Sequence, residues 1–166
     1  MKKNNLSVRY TVRGAAVAAL YALLTLITTV FGLSSGVIQL RLSEALCILP
    51  LFMPEAVVGL FVGCLISNMM VPGVVIWDVI FGSVATLIGA VGARMLRKLP
   101  DKLVWVATLP TVGANVLIVP LVLIFAYGVP DAYWFICLTV GIGEILSATV
   151  FGFILYHVIK RSGIKI

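Results

Sequence analysis

Six acidic side chains occur in 166 residues, and several of them stand where an acid is expensive. Glu144 lies about half-way along the last apolar run, roughly a dozen residues from water at either end at about 1.5 Å per residue. Asn115 sits at a comparable depth in the run before it. A carboxylate only accepts hydrogen bonds, whereas an asparagine amide both donates and accepts. Together they could read the edge of a planar polar ligand; an interhelical hydrogen bond holding a bundle is the plainer use. Arg41 and Glu44, three residues apart, could pair on one helical face, with Gln39 just before them. That pair suits either a binding site or a structural salt bridge. Asn68, Trp77 and Asp78 fall near the same end of their segments, and Trp77 is a candidate stacking surface beside an inward-pointing acid. Ionisable groups inside an apolar segment are functional candidates by default.

The elements that position these groups are apolar throughout. Hydrophobic residues make up 62% of the chain, charged residues 11%, and the mean hydropathy is +1.20. A soluble domain is about 45–50% apolar and about 25% charged, and a chain this short cannot hide such a surplus from water. Lipid is the expected solvent, and a single transmembrane domain over residues 1–166 the expected organisation.

The net charge of +6 does not point to nucleic acid. Every Lys and Arg except Arg41 lies in one of three places: Lys2, Lys3, Arg9 and Arg13; Arg94, Arg97, Lys98 and Lys102; Lys160, Arg161 and Lys165. Positive charge confined to ends and loops is a topology signal. Apolar runs of spanning length cover Tyr10–Val30, Ile76–Met95, Leu103–Tyr127 and Tyr133–Ile159. The first follows a basic start but lacks a small-residue cleavage site, so it reads as an uncleaved span. The tract Gln39–Met70 is broken by Pro50 and Pro54. Splitting it into two helices, the first about Gln39 to Phe52, keeps all three basic groups on one side. The expectation is therefore an all-α integral membrane bundle of six transmembrane helices with both termini cytoplasmic. The short second helix would be tilted, re-entrant or sheltered by its neighbours.

Small residues form stripes on these helices. Ala15, Ala18, Ala19 and Ala22 follow the spacing i, i+3, i+4, i+7 and make a smooth face for close helix packing, inside the bundle or against a partner. Glu55, Asp78 and Glu144 each share a line with small residues, so they should point inward. Cys47, Cys64 and Cys137 lie in apolar runs and read as buried thiols, and His157 as an interfacial residue. A phosphate-binding Gly-rich loop with its lysine is missing, as is any paired His/Glu or Ser/His set within the spans, so no enzyme activity is expected. The polar groups gather in the half of the bundle away from the basic loop, which suggests a pocket open to the outside. A self-sufficient secondary transporter or channel is the alternative, although no internal repeat supports it.

Several blocks carry a family likeness. Ile38-Gln-Leu-Arg-Leu-Ser-Glu-Ala-Leu46, Pro54-Glu-Ala56, Gly59-Leu-Phe-Val-Gly-Cys64, Asn68, Asp78-Val-Ile-Phe-Gly-Ser-Val-Ala-Thr-Leu87, Asn115-Val-Leu-Ile118 and Thr139-Val-Gly-Ile-Gly-Glu144 resemble, in the same order, the QueT family of queuosine-precursor transporters. The alanine stripe resembles the Ala-x-x-x-Ala docking motif of S components of energy-coupling factor (ECF) transporters. The resemblance implies a six-helix S component in the cell membrane that captures queuine or a deazaguanine precursor. It also implies a membrane coupling protein and two cytoplasmic ATPase subunits as partners, which hydrolyse ATP, so the chain itself needs no cofactor or metal. Ala15, Ala18, Ala19 and Ala22 would meet the coupling helices. A guanine-like ring suits the residues: Glu144 accepts from adjacent N–H and amino groups, and Asn115, Asn68 or Gln39 donates to the carbonyl. Asp78 or Glu44 pairs with a cationic substituent. The Gly/Ser loop Phe31–Val37 could close over the bound ligand.

Overall fold

Proline and glycine placement sets the breaks between helices. The computed structural model describes residues 2–33 and 38–163, with side chains from residue 7 onward. The last four residues of the expected lid, 34–37, lie outside the described residues, as do Lys165 and the side chains of Lys2 and Lys3. Helix α1 (Lys2–Val30) is followed by a 3-10 helix (Leu42–Leu51), α2 (Glu55–Met70) and α3 (Ile76–Met95). A second 3-10 stretch (Asp101–Thr108) leads straight into α4 (Leu109–Tyr127). Helix α5 (Tyr133–Glu144) runs through a π-helical turn (Ile145–Phe151) into α6 (Gly152–Arg161). The described residues contain no strand.

Among the described residues, four helical segments are long and apolar enough to cross a membrane: Ser7–Val30, Ile76–Met95, Asp101–Tyr127 and Tyr133–Arg161. Leu42–Leu51 and Glu55–Met70 are shorter apolar helices. Large apolar side chains face outward on the long ones, among them Leu23, Ile88, Phe125 and Ile154. That surface is stable only against lipid, and the protein is a multi-pass membrane protein.

The short helix before Pro54 is the exception, and Pro50 lies inside it rather than ending it. Residues Ser43 to Pro50 are all buried, sheltered by α1, α2, α3 and α6. A 3-10 helix rises about 2.0 Å per residue, so ten residues reach about 20 Å where an α-helix would reach about 15 Å. Residues 39–41 are not part of it, contrary to a helix beginning at Gln39: Arg41 is extended at φ −117°, ψ 93°.

Glycines set the spacing between helices. A Cβ on Gly59 would lie 2.5 Å from the Gly14 carbonyl oxygen, and one on Gly63 would lie 2.8 Å from that of Ala18. Helices α3 and α4 meet likewise at Gly89 against Thr111 and Gly92 against Pro110. Backbones this close gain dispersion contacts without needing a hydrophobic drive. The central core joins Tyr21 of α1, Leu46 and Cys47 of the 3-10 helix, Leu60 and Cys64 of α2, and Ala90 of α3.

Candidate ligand site

At the end of the bundle away from the 94–102 loop, the ends of α1, α2 and α4 and the start of α3 surround a polar cavity of about 260 Å³. Thr25, Thr29, Gln39, Arg41, Asn68, Asp78 and Tyr127 supply its polar lining. Pockets for drug-sized ligands span about 300–1,000 Å³, so this one suits something nearer a bicyclic base.

Asp78 stands in the first turn of α3, where the unpaired backbone N–H groups favour a negative charge. The Tyr127 hydroxyl donates to Asp78 Oδ2 at 3.2 Å and accepts from the Val75 N–H at 3.1 Å. Asn68 Nδ2 donates to the Asp78 carbonyl oxygen at 3.4 Å, which ties the end of α2 to the start of α3. Asp78 therefore keeps carboxylate acceptor capacity on a fixed support.

The 39–41 strap forms another wall. Its backbone lies on α5: a Cβ on Gly143 would come within 2.1 Å of the Gln39 carbonyl oxygen. The Arg41 N–H donates to Ser147 Oγ at 3.1 Å, and the Leu40 N–H to the Leu33 carbonyl at 2.9 Å. With its backbone held on both sides, the strap turns the Gln39 and Arg41 side chains into the cavity. The Arg41 guanidinium is within electrostatic reach of Asp78, Glu44 and Glu144.

Behind the strap, Glu144 closes α5 just before the π turn. It is 6% exposed, and its Oε2 has no hydrogen-bond partner among the described residues. Asn115 lies beside it, 2% exposed, with Nδ2 donating to the Thr111 carbonyl at 3.1 Å. Thr111 Oγ1 is likewise buried and unpartnered among those residues. Buried polar atoms are almost always satisfied, so the unmatched Glu144 oxygen calls for a ligand or water. The π turn adds a residue to the helix at this level, a distortion frequent at functional sites.

Four of the sequence-predicted residues, Gln39, Arg41, Asn68 and Asp78, thus meet in one cavity, with Glu144 and Asn115 in the layer behind the strap. Two others do not join them. Glu44 is 1% exposed and engaged inside the bundle: its Oε1 accepts from the Tyr21 hydroxyl and its Oε2 from Cys47 Sγ at 3.2 Å. No direct ion pair links it to Arg41 among the described residues, because Arg41 precedes the helix and the i, i+3 geometry does not apply. Trp77 is 53% exposed, stacks on Phe81 at 6.0 Å, and lines an apolar groove between α3 and α4 instead. The sequence reading passed over Tyr127 and Tyr21. The signal was there in a phenol at a span end and another mid-span, since a buried Tyr hydroxyl needs a partner.

The alanine stripe divides. Ala18 is buried against α2, Ala22 is half-buried, and Ala15 and Ala19 are exposed.

Over residues 11–161 the chain matches the family model described as QueT transporter. It is 33% identical over 93 residues to the "Queuosine precursor transporter QueT" of Lactococcus lactis subsp. cremoris (strain MG1363). That alignment covers 55% of this chain and 53% of the relative, so the chain spans about half the length of the curated relative it matches. No solved structure gives a significant match.

Proposed function

Because the chain belongs to the QueT transporter family, we propose that it is the substrate-binding S component of an ECF-type importer for a queuosine precursor. In this reading it crosses the membrane six times with both termini in the cytoplasm. It captures queuine or a deazaguanine base at the outer face, and delivers it with a membrane coupling protein and two ATPase subunits that hydrolyse ATP. The two short helices complete the six crossings, and the basic residues at 9–13, 94–102 and 160–161 then share the cytoplasmic side.

The observation that carries the reading is the cavity lined by Gln39, Arg41, Asn68 and Asp78, with the unmatched Oε2 of Glu144 behind its strap. A deazaguanine offers adjacent ring N–H and amino donors, which a carboxylate accepts in parallel. Glu144 takes that role, with Asn115 holding the carboxylate. Asn68 or Gln39 donates to the ring carbonyl, and Asp78 pairs with a cationic aminomethyl or cyclopentenyl-amine substituent. Glu44 and Trp77 are left out of the contact set, the first because its acceptors are occupied, the second because it faces away.

The test is a titration of the purified chain with queuine, the aminomethyl and nitrile deazaguanines, and guanine. Tight binding of one deazaguanine with guanine rejected is expected. Failure to bind any of them would overturn the ligand assignment.

A further inference from the structure

We infer that the ligand site has a second lobe, between α4 and α5, which takes the cyclopentene diol of queuine and makes queuine the preferred precursor. Asp131 is the acceptor that selects the diol; this rests on the queuosine-precursor reading above. The lobe holds about 330 Å³. Gln39, Leu123 and Val129 line both it and the 260 Å³ cavity that contains Asp78, so the two adjoin at these three residues. The first cavity alone falls below the range of about 300–1,000 Å³ for small-molecule pockets, and the two in series fall within it.

The chemistry of the lobe fits an apolar ring that bears hydroxyls. Phe135, Ile136 and Val140 of α5 give it an apolar wall. Its polar groups mainly accept. The Thr139 hydroxyl proton is given to the Ile136 carbonyl at 3.0 Å, which leaves the oxygen's acceptor capacity for a ligand. Asp131, in the connection between α4 and α5, is exposed and makes no hydrogen bond or ion pair among the described residues. Its two oxygens can accept from both hydroxyls of a vicinal diol. The described lining includes no Lys or Arg, so a phosphate finds no counter-charge there. Queuine carries its diol on a cyclopentene ring attached to the amine at which the aminomethyl form ends. With that amine at Asp78, the ring extends past Gln39 and Leu123 into the lobe. The aminomethyl and nitrile forms stop within the first cavity.

The experiment is calorimetric titration of the purified full chain with queuine, the aminomethyl deazaguanine and the ribonucleoside of the aminomethyl form. Wild type should bind queuine about tenfold or more tightly than the aminomethyl form. Asp131→Asn should weaken queuine binding about fivefold, as expected for charge-assisted hydrogen bonds made at an exposed position. Its affinity for the aminomethyl form should be unchanged, which also shows that the variant folds. Thr139→Leu, which fills the lobe, should weaken queuine about tenfold or more and spare the aminomethyl form. Wild-type preference for the aminomethyl form would overturn the inference and leave the queuosine-precursor reading intact. So would Asp131→Asn with unchanged queuine affinity, or with equal losses for both ligands. The ribonucleoside carries its diol on a ring nitrogen instead; tighter binding of it than of queuine would reassign the lobe to a ribose and overturn the proposal. A wild-type chain that binds no deazaguanine would overturn both the inference and the reading beneath it.

Discussion

Gly143 of α5 and the carbonyl of Gln39 are in contact so close that a Cβ on the glycine would lie 2.1 Å from the oxygen. The contact seats the strap that turns Gln39 and Arg41 into the cavity. Gly143→Ala should therefore lift the strap, at an overpacking cost of about 1–3 kcal/mol. Ligand affinity should fall about tenfold or more while helix content is retained. Titration alongside circular dichroism checks this, and unchanged affinity would separate the strap from the site.

Glu144→Gln should weaken deazaguanine binding by about 1.5–3 kcal/mol, the usual worth of a hydrogen bond to a charged group. Thermal stability without ligand should hold or rise, because a buried carboxylate with an unmatched oxygen is removed. Paired titration and melting measurements report both. Unaltered affinity would remove Glu144 from the ligand's reach.

Asp78→Asn should discriminate between ligands. The aminomethyl deazaguanine, which carries a cation, should lose about 1–3 kcal/mol of affinity, and the neutral nitrile form much less. Tyr127→Phe should shift binding in the same direction but by a smaller step, since it keeps the carboxylate and removes its 3.2 Å support at Oδ2 together with the hydroxyl's bond from the Val75 N–H. Equal losses for both ligands under Asp78→Asn would mean that Asp78 does not meet the substituent.

Gly63→Ala should destabilise the bundle without touching the cavity. The added Cβ would lie 2.8 Å from the Ala18 carbonyl oxygen and from Tyr21 Cβ. The expected cost is about 1–3 kcal/mol. A lowered melting temperature in detergent, with ligand affinity preserved in the folded fraction, is the outcome to look for.

Parts of this were legible in one dimension because lipid imposes them. A run of twenty apolar residues with charge at its ends leaves few options, so Ile76–Met95 is found where its composition puts it. Asp78 and Asn68 could be named because polar groups among apolar neighbours are conspicuous. The short second helix was harder to read. Its sequence is apolar apart from Ser43 and Glu44, and neither its 3-10 winding nor its start at Leu42 rather than Gln39 follows from hydropathy.

The sequence by itself determined that this is a multi-pass helical membrane protein and which side chains are costly enough to need a purpose. Only the tertiary structure decided how those side chains are shared out. Glu44 is consumed by Tyr21 and Cys47, while Glu144 is left with an open oxygen. Arg41 serves the cavity rather than its neighbour in sequence, and Trp77 faces outward although it adjoins Asp78. The physical reason is that burial cost is local to the residue, whereas its satisfaction depends on what helices distant in sequence bring within 3 Å or so.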